Sequence, residues 1–502
     1  MNLLIKNQWQ PLPEHTVCAR QVAKLHRYLR DVVVPFSPYY KRLFAEHGLC
    51  ADDIHLIDDL RRIPFTTKAD LLNTDEAPNR SKDFIITPDQ HVLAHRASTI
   101  AHALVRGRSR VKQELEDEFR PLLLTMTTGR AADPVPFLFT RHDIRQLAIT
   151  GRRLFEVCGA TRDMRLLNMF PYAPHLAFWQ THYGGESFGV FVASTGGGKV
   201  LGTDGQIRFI RKLQPNVLIG MPTFVYHVLH QAVTEKVRCE ALHRIVLGGE
   251  KVPDGMRRKL VDLARQCGAK EFDVVGTYGF TEAKMAWAEC PRAIDQPSCG
   301  YHLYPDLGIV EVIDPKTGEP VPPETPGEIV FTPLDARGTV VLRYRTGDII
   351  DGGLTYSPCP NCGRHLPRLV GNISRATEIR EMHLDKIKGT LVDFNELEHL
   401  LDDDRRVGAW QIELRKRDDD PLEVDEIVLH VHKLNGIAEE QLARELCHLF
   451  GERTEILPNC ILFHTPDEMR ALQGVGSEMK ERRVVDHRPG TTNSPPTQGV
   501  AA

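Results

Sequence analysis

The sequence predicts an α/β protein: a large N-terminal domain of parallel-type sheet covered by helices, a small β subdomain, and a small α+β C-terminal domain. Three observations predict it. Between residues 120 and 290 short apolar runs alternate with segments of helical period, the pattern of a parallel sheet buried on both faces. From residue 300 the helices drop out, and short strands follow between turn signals such as Asp314-Pro315-Lys316-Thr317-Gly318 and Thr325-Pro326-Gly327. Beyond 370, alternating runs at 410–414 and 427–431 precede a helix at 438–450 and a strand at 460–463. At 502 residues the chain is too long for one ordinary core. The expected divisions are 1–370 (helical start 15–75, α/β part 120–290, β subdomain 300–370), 371–488, and a disordered tail at 489–502, low in apolar residues.

Composition narrows the function classes. The chain is 41% hydrophobic and 26% charged, with a formal net charge of -4, which asks for neither nucleic acid nor a membrane partner. No apolar run approaches the ~20 residues of a membrane span. The start has no cationic segment followed by an apolar one, so a cytoplasmic protein is expected. Eleven cysteines in a chain of this size imply reduced thiols, not a disulfide scaffold. A homodimer is compatible with all of this.

Taken in order, residues 15–34 carry Val22, Leu25, Leu29, Val32 and Val33 at helical spacing, so one long helix ending at Pro35 is expected. Shorter helices follow. Residues 80–120 look polar and irregular, with Arg106-Gly107-Arg108-Ser109-Arg110 as a solvated face. Leu122-Leu123-Leu124 forms a strand that enters Thr125-Met126-Thr127-Thr128-Gly129-Arg130. Hydroxyls, a glycine and a cation past a strand suit a loop that wraps phosphate; a Ser/Thr-rich turn without a ligand fits equally. A helix over 142–157 leads to a strand over 166–170 and then to Pro171-Tyr172-Ala173-Pro174-His175-Leu176-Ala177-Phe178-Trp179. That cluster makes either an apolar pocket wall with one polar group or an aromatic core corner. Gly196-Gly197-Gly198-Lys199 lacks the rest of a nucleotide fingerprint and is expected to be a turn.

The most informative stretch is 244–290. Ile245-Val246-Leu247 stops at Gly248-Gly249, a helix carries Met256, Leu260, Leu263 and Ala264, and a second run from Phe272 to Val275 breaks into Tyr278-Gly279-Phe280-Thr281-Glu282. In open α/β sheets ligands sit at the carboxyl ends of strands. Glycines there admit backbone N–H groups to a nucleotide, and Thr281 beside Glu282 suits a phosphate oxygen and a hard divalent cation. Strands expected at 309–313, 328–332 and 340–344 lead to Arg343-Tyr344-Arg345-Thr346-Gly347-Asp348. An aspartate beyond a glycine turn accepts ribose hydroxyls, or it caps a surface turn.

These pieces occur in one order: Pro64-Phe65-Thr66-Thr67-Lys68, the 125–130 loop, Gly248-Gly249-Glu250, Tyr278 to Glu282, and Tyr344-Arg345-Thr346-Gly347-Asp348. Lys388-Gly389 with Phe394-Asn395-Glu396-Leu397-Glu398, and Lys480-Glu481-Arg482-Arg483-Val484-Val485-Asp486, complete it. The ordered set resembles the adenylate-forming (acyl-AMP) enzymes, and among them the phenylacetate–CoA ligase-like family, over about 15–488. The resemblance implies an ATP-dependent ligase. A carboxylic acid, here an aromatic one, attacks the α-phosphate of ATP to give an acyl-adenylate and pyrophosphate, and coenzyme A takes the acyl group. The alternative is the same adenylation with transfer to an amine or another non-CoA acceptor.

The resemblance also implies roles. Thr127, Thr128 and Gly129 would hold the β/γ-phosphates, with Thr281 and Glu282 serving phosphate and Mg²⁺. Gly248, Gly249, Glu250, Tyr278 and Gly279 would frame the adenine, Asp348 would take the ribose, and Arg368 would join the ATP site. Lys480, on a mobile C-terminal domain, would reach the α-phosphate. Tyr172, His175, Trp179, Gly276 and Thr277 fall where the acyl pocket forms, and His175 would orient the carboxylate or carry a proton. Two stretches depart from the family pattern. Met126 stands where a glycine is usual, and Gly371-Asn372-Ile373-Ser374-Arg375 replaces the hinge Gly-Arg-x-Asp-Asp, where Arg368 or Arg375 could substitute for the absent arginine. Finally, Cys359-Pro360-Asn361-Cys362 has the C-x₂-C spacing of a zinc knuckle. Cys290, His302, Cys359 and Cys362 are the expected ligands, with Cys299 as the alternative to His302. Four ligands leave no open position, so the zinc would be structural.

Overall fold

In a computed structural model, residues 13–74, 78–127, 134–172, 174–375, 379–382, 390–417, 425–434, 436–454, 457–478 and 481–488 are described. Helix α1 (Glu14–Tyr28) buries Val22 and Leu25. It does not stop at Pro35: a π turn over Leu29–Val33 carries it into Val34–Phe36. Pro35 lacks the N–H of a regular turn, and the widened turn before it absorbs that defect. Residues 80–120 are not irregular. They form helices, chiefly α2 (Ala97–Arg106) and α3 (Arg108–Phe119), joined at Gly107 with φ +87°. The polar sequence hid a stripe in α3: Val111 is buried, and Leu115 and Phe119 pack on the core four and eight residues on. Strand β1 (Pro121–Met126) pairs antiparallel with β2 (Pro136–Thr140) as a separate hairpin, outside the parallel sheet.

The α/β part follows the alternation. Helix α4 (Arg141–Val157) precedes β3 (Arg165–Asn168), α5 (Leu176–Phe188), β4 (Phe191–Ser194), α6 (Gly198–Leu213), β5 (Val217–Gly220), α7 (Pro222–Thr234), β6 (Arg244–Leu247), α8 (Asp254–Gln266), β7 (Asp273–Phe280) and β8 (Met285–Ala288). The sheet order is β4-β3-β5-β6-β7-β8, parallel from β4 to β7. Strands β5 and β6 are almost wholly buried, as apolar runs covered on both faces must be. The glycines at 196–198 are not a free turn, because α6 starts at Gly198.

The β subdomain contains β9 (Tyr301–His302), β10 (Gly308–Ile313), β11 (Gly327–Pro333), β12 (Tyr344–Ile350), β13 (Leu354–Thr355), β14 (Arg368–Leu369) and β15 (Ile373–Arg375). The strand expected at 340–344 starts instead at Tyr344, because Arg343 has φ +43° and breaks the extended run. Since β15 pairs with β12, residues 371–375 belong to this subdomain, and the division at 370 falls five residues early.

The C-terminal unit pairs β16 (Ile379–Met382) with β17 (Thr390–Asp393), followed by α9 (Phe394–Asp403). Its sheet runs β20-β19-β18-β21, from β18 (Val407–Lys416), β19 (Asp425–Lys433), β20 (Cys460–Phe463) and β21 (Val484–Asp486). Helices α10 (Glu439–Thr454) and α11 (Pro466–Gln473) complete it. It docks on α7 and α8: Lys259 Nζ donates to Leu401 O at 3.2 Å, Arg258 pairs with Asp403 at 2.8 Å, and His227 bonds Gln473 at 2.8 Å. The tail at 489–502 lies outside the described residues. Among the described residues, no helix is long and apolar enough to cross a membrane.

Helices α4 and α5 cross at touching backbones. A Cβ on Gly151 would lie 2.6 Å from both Gln180 O and Gly184 Cα. Backbone cannot swing aside as a side chain can, so Gly151→Leu should cost about 3 kcal/mol by overpacking. A drop in the urea midpoint at unchanged slope is the check.

Candidate active site

A cleft of about 1570 Å³ opens above the carboxyl ends of the parallel strands, between the sheet and the C-terminal unit. Its floor is the loop after β6. Gly248 is buried against Thr277, leaving no room for a Cβ, and Gly249 sits at φ +83°, where glycine alone is unstrained. Glu250 accepts the Thr223 hydroxyl at 3.0 Å through one carboxylate oxygen. Its other oxygen is buried with no partner among the described residues.

The wall is β7, which does not break after Val275 as the sequence suggested. It runs on to Phe280 by pairing with β8, and a single 3₁₀ turn presents Thr281 and Glu282. The Glu282 carboxylate accepts the Tyr344 hydroxyl at 2.7 Å. Burial pushes its pKa up, and the Tyr344 bond offsets only part of this. The Thr281 hydroxyl donates to Met126 O at 3.3 Å. Opposite, Asp348 on β12 accepts the Tyr278 hydroxyl at 2.8 Å and pairs with Arg375 of β15 at 2.8 Å. Burial opposes the Arg375 charge, but the Asp348 carboxylate raises its pKa overall. Burial, and then Asp348, push the Tyr278 phenol well up, so it stays a donor.

His175 lies at the N-cap of α5, with Nδ1 3.4 Å from Met126 O, and lines the cleft. Two neighbours do not. Tyr172 is 64% exposed, and Trp179 stacks on Tyr183 away from the cleft. The helical turn decides this: His175, Phe178 and Thr181 share a face at three-residue spacing, while Trp179 is rotated off it. Counting by three from His175 would have found Phe178 and Thr181. Gly276 is also beneath the lining, against Glu289, whereas Thr277 and Gly279 are in it.

The family of AMP-binding enzymes matches residues 157–333. That span holds the floor loop and the β7 wall. This part of the chain is similar to the AMP-binding enzymes. The phenylacetate–coenzyme A ligase of Thermus thermophilus is 27% identical over 379 residues, 75% of this chain and 74% of that protein. The Escherichia coli phenylacetate–coenzyme A ligase is 26% identical over 317 residues, 62% of each. Among solved structures, 2-hydroxyisobutyryl-CoA ligase with 2-HIB-AMP in its postadenylation state gives a TM-score of 0.74 at 20% identity, covering 96% of this chain and 92% of that one. The same ligase with 2-HIB-AMP and CoA in its thioesterification state gives 0.61 at 19% identity, covering 96% and 91%. The fold is shared, and its agreement is greater with the former arrangement.

The arginine beside Asp348 is Arg375. Arg368 is not in the cleft: its guanidinium spans the carbonyls of Cys299, Ser357 and Pro358, because β14 faces the cysteine knuckle. Thr127 lines the cleft and bonds the Val135 N–H at 3.0 Å. Thr128, Gly129 and Lys480 lie outside the described residues. Cys290, His302, Cys359 and Cys362 converge, with ligand atoms all within 4.8 Å of one another. Cys299 is outside this group, and its carbonyl holds Arg368.

Removing the Arg375 charge leaves Asp348 buried without its cation. Arg375→Met should therefore weaken ATP binding about tenfold, while Arg368→Met should leave it within twofold. Calorimetric titration of each variant with ATP is the check.

Proposed function

We propose that this chain is an ATP-dependent acid–coenzyme A ligase that adenylates an aromatic carboxylic acid. One observation carries this reading: Tyr278, Thr281, Glu282 and Asp348 face one cleft over the Gly248-Gly249 loop. An aromatic face, a hydroxyl beside a carboxylate, and a second carboxylate on the far strand match a base, a phosphate chain with a cation, and a ribose. Phe170, Phe178 and Ile219 give the neighbouring part of the cleft an apolar lining that suits an aromatic ring. The names of the relatives support coenzyme A as the acceptor.

In the first step an oxygen of the acid carboxylate bonds to the α-phosphorus, and the bond to the leaving pyrophosphate breaks. In the second the thiol gives up its proton to solvent, its sulfur bonds to the acyl carbon, and the acyl C–O bond breaks as AMP departs. Asp348 accepts the ribose hydroxyls, and Thr281 donates to a phosphate oxygen. His175 orients the acid from the N-cap of α5. Glu282 and Thr281 would hold Mg²⁺, whose chemistry there is to offset phosphate charge. The fit is supported by a buried carboxylate with a raised pKa, which a cation would return to its ionised form. Lys480 would be the cation for the α-phosphate. Its neighbour Glu481 and Arg483 line the cleft, which supports this placement.

The cysteine knuckle fits structural zinc. Cys290 and Cys359 sulfurs stand 3.8 Å apart, the edge of a tetrahedron with Zn–S bonds of about 2.3 Å. His302 presents Nε2 to Cys362 at 3.3 Å while Nδ1 faces Ala288 O at 3.2 Å, the second bond that fixes a ligating imidazole. Free cysteines throughout the described chain agree with a reducing cytoplasm.

Pyrophosphate release against a panel of acids, with and without CoA, tests the ligase reading. An aromatic acid should support release, and CoA should yield its thioester. Release with no thioester would favour an amine or other acceptor, and no release from any acid would reject the reading. Lys480→Ala should cut release at least a hundredfold while ATP still binds.

The pH dependence follows from Glu282. Without a cation, burial holds its pKa above the ordinary value of 4.5, so as pH falls protonation should compete with Mg²⁺ for the carboxylate. Tyr344→Phe deletes a bond to the ionised form, so the acid limb of the release rate should move to higher pH. A profile identical to wild type would show that Glu282 does not set that limb.

A further inference from the structure

We infer that Glu289 is a positioning residue that couples the Cys₃His cluster to the nucleotide platform. This rests on the ligase reading for what the platform binds and on the zinc assignment for what the cluster holds. Gly276 is the last residue of β7 paired with β6, and Thr277 is the first paired with β8. The Gly276 N–H at this changeover donates to the Glu289 carboxylate at 2.6 Å, and the Glu289 N–H returns a bond to Gly276 O at 3.0 Å. The same carboxylate accepts from Arg257 at 2.7 Å and from the Ser298 hydroxyl. Glu289 and Arg257 are only 4% and 3% exposed. Arg257 also holds β7 directly, donating to Val274 O at 2.7 Å. A Cβ at 276 would lie 2.8 Å from the Glu289 carboxylate and 2.9 Å from the guanidinium, so the strand rests on the ion pair.

The chain on both sides of Glu289 is tied to the cluster. Cys290 is the next residue, and the preceding carbonyl, Ala288 O, bonds to His302 Nδ1 at 3.2 Å. Metal held by Cys290 and His302 thus fixes residues 288–290 from two directions, and with them the carboxylate under Gly276. Immediately beyond Gly276 come Thr277, bonded to Leu247 O at 2.9 Å beside Gly248, and Tyr278, bonded to Asp348. The cluster therefore sets the position of the platform without touching nucleotide.

The test combines chelation with Glu289→Gln. Purified protein is assayed for zinc, stripped, and titrated with ATP beside the intact protein and the variant. Zinc should be stoichiometric before stripping. Stripping and Glu289→Gln should each weaken ATP binding about tenfold. Stripping the variant should add less than twofold, because one link cannot be cut twice. Amide exchange in the peptide over 273–280 should quicken in each case, and KM for ATP should rise more than kcat falls. Unchanged ATP affinity on stripping, additive losses, or absence of zinc would overturn the inference. Should stripping abolish the thermal unfolding transition, Cys362→Ser and Glu289→Gln decide, and wild-type ATP affinity in both would overturn it. Intact, zinc-loaded protein that does not bind ATP would reject the ligase reading itself, a separable result.

Discussion

The site depends on a single strand changing partners. Up to Gly276, β7 is the last strand of a parallel sheet, and from Thr277 it is one arm of an antiparallel hairpin with β8. A parallel strand normally ends at the sheet's edge and hands over to a loop. Here the antiparallel partner satisfies the backbone for four more residues, so Tyr278 to Glu282 are held on a strand and a tight turn. Functional groups on regular structure are positioned more firmly than on loops. The same extension passes beneath the β subdomain, where Phe280 packs on Phe331 and Tyr344. Asp348 and Glu282 can therefore face one cleft although 66 residues separate them (348 minus 282).

Buried charge also ties the subdomains together. Lys284, just past the Thr281-Glu282 turn, pairs with Asp143 on α4 at 2.9 Å, and Asp143 also accepts the N–H groups of Arg337 and Gly338. Each such ion has several partners, as burial requires, since one unpaired charge there would cost several kcal/mol. These networks specify geometry more than they add stability. They tie α4, the β7–β8 hairpin and the β subdomain into one frame around the cleft.

The contact with the C-terminal unit is of another kind. Lys259 reaches the Leu401 carbonyl near the end of α9, where a cation is favoured by the helix dipole, yet burial pushes its pKa down to about 8. His227 is buried against Gln473 and held neutral, its pKa pushed down to about 4 by burial. Polar groups desolvated at an interface repay little net energy. Such an interface docks the unit without fusing it.

Much of this was legible in the sequence because it is local. The βα alternation, the glycines at 248 and 249, and Thr281 beside Glu282 follow from periodicity, backbone freedom and adjacency. The cysteine cluster was half legible: Cys359 and Cys362 stand at C-x₂-C spacing and His302 was preferred over Cys299, but the convergence of all four groups required the fold. What escaped was a matter of direction. Trp179 and Phe178 are neighbours in sequence, but the helical turn puts the buried Phe178 against the cleft and turns Trp179 away from it. Arg368 was the arginine expected in the ATP site, and only strand pairing showed that Arg375 is the one that meets Asp348. Composition and spacing determine which groups a chain owns and where its strands begin and end. Which face each side chain takes, and which distant carboxylate it meets, is set by long-range packing and pairing that no local window contains.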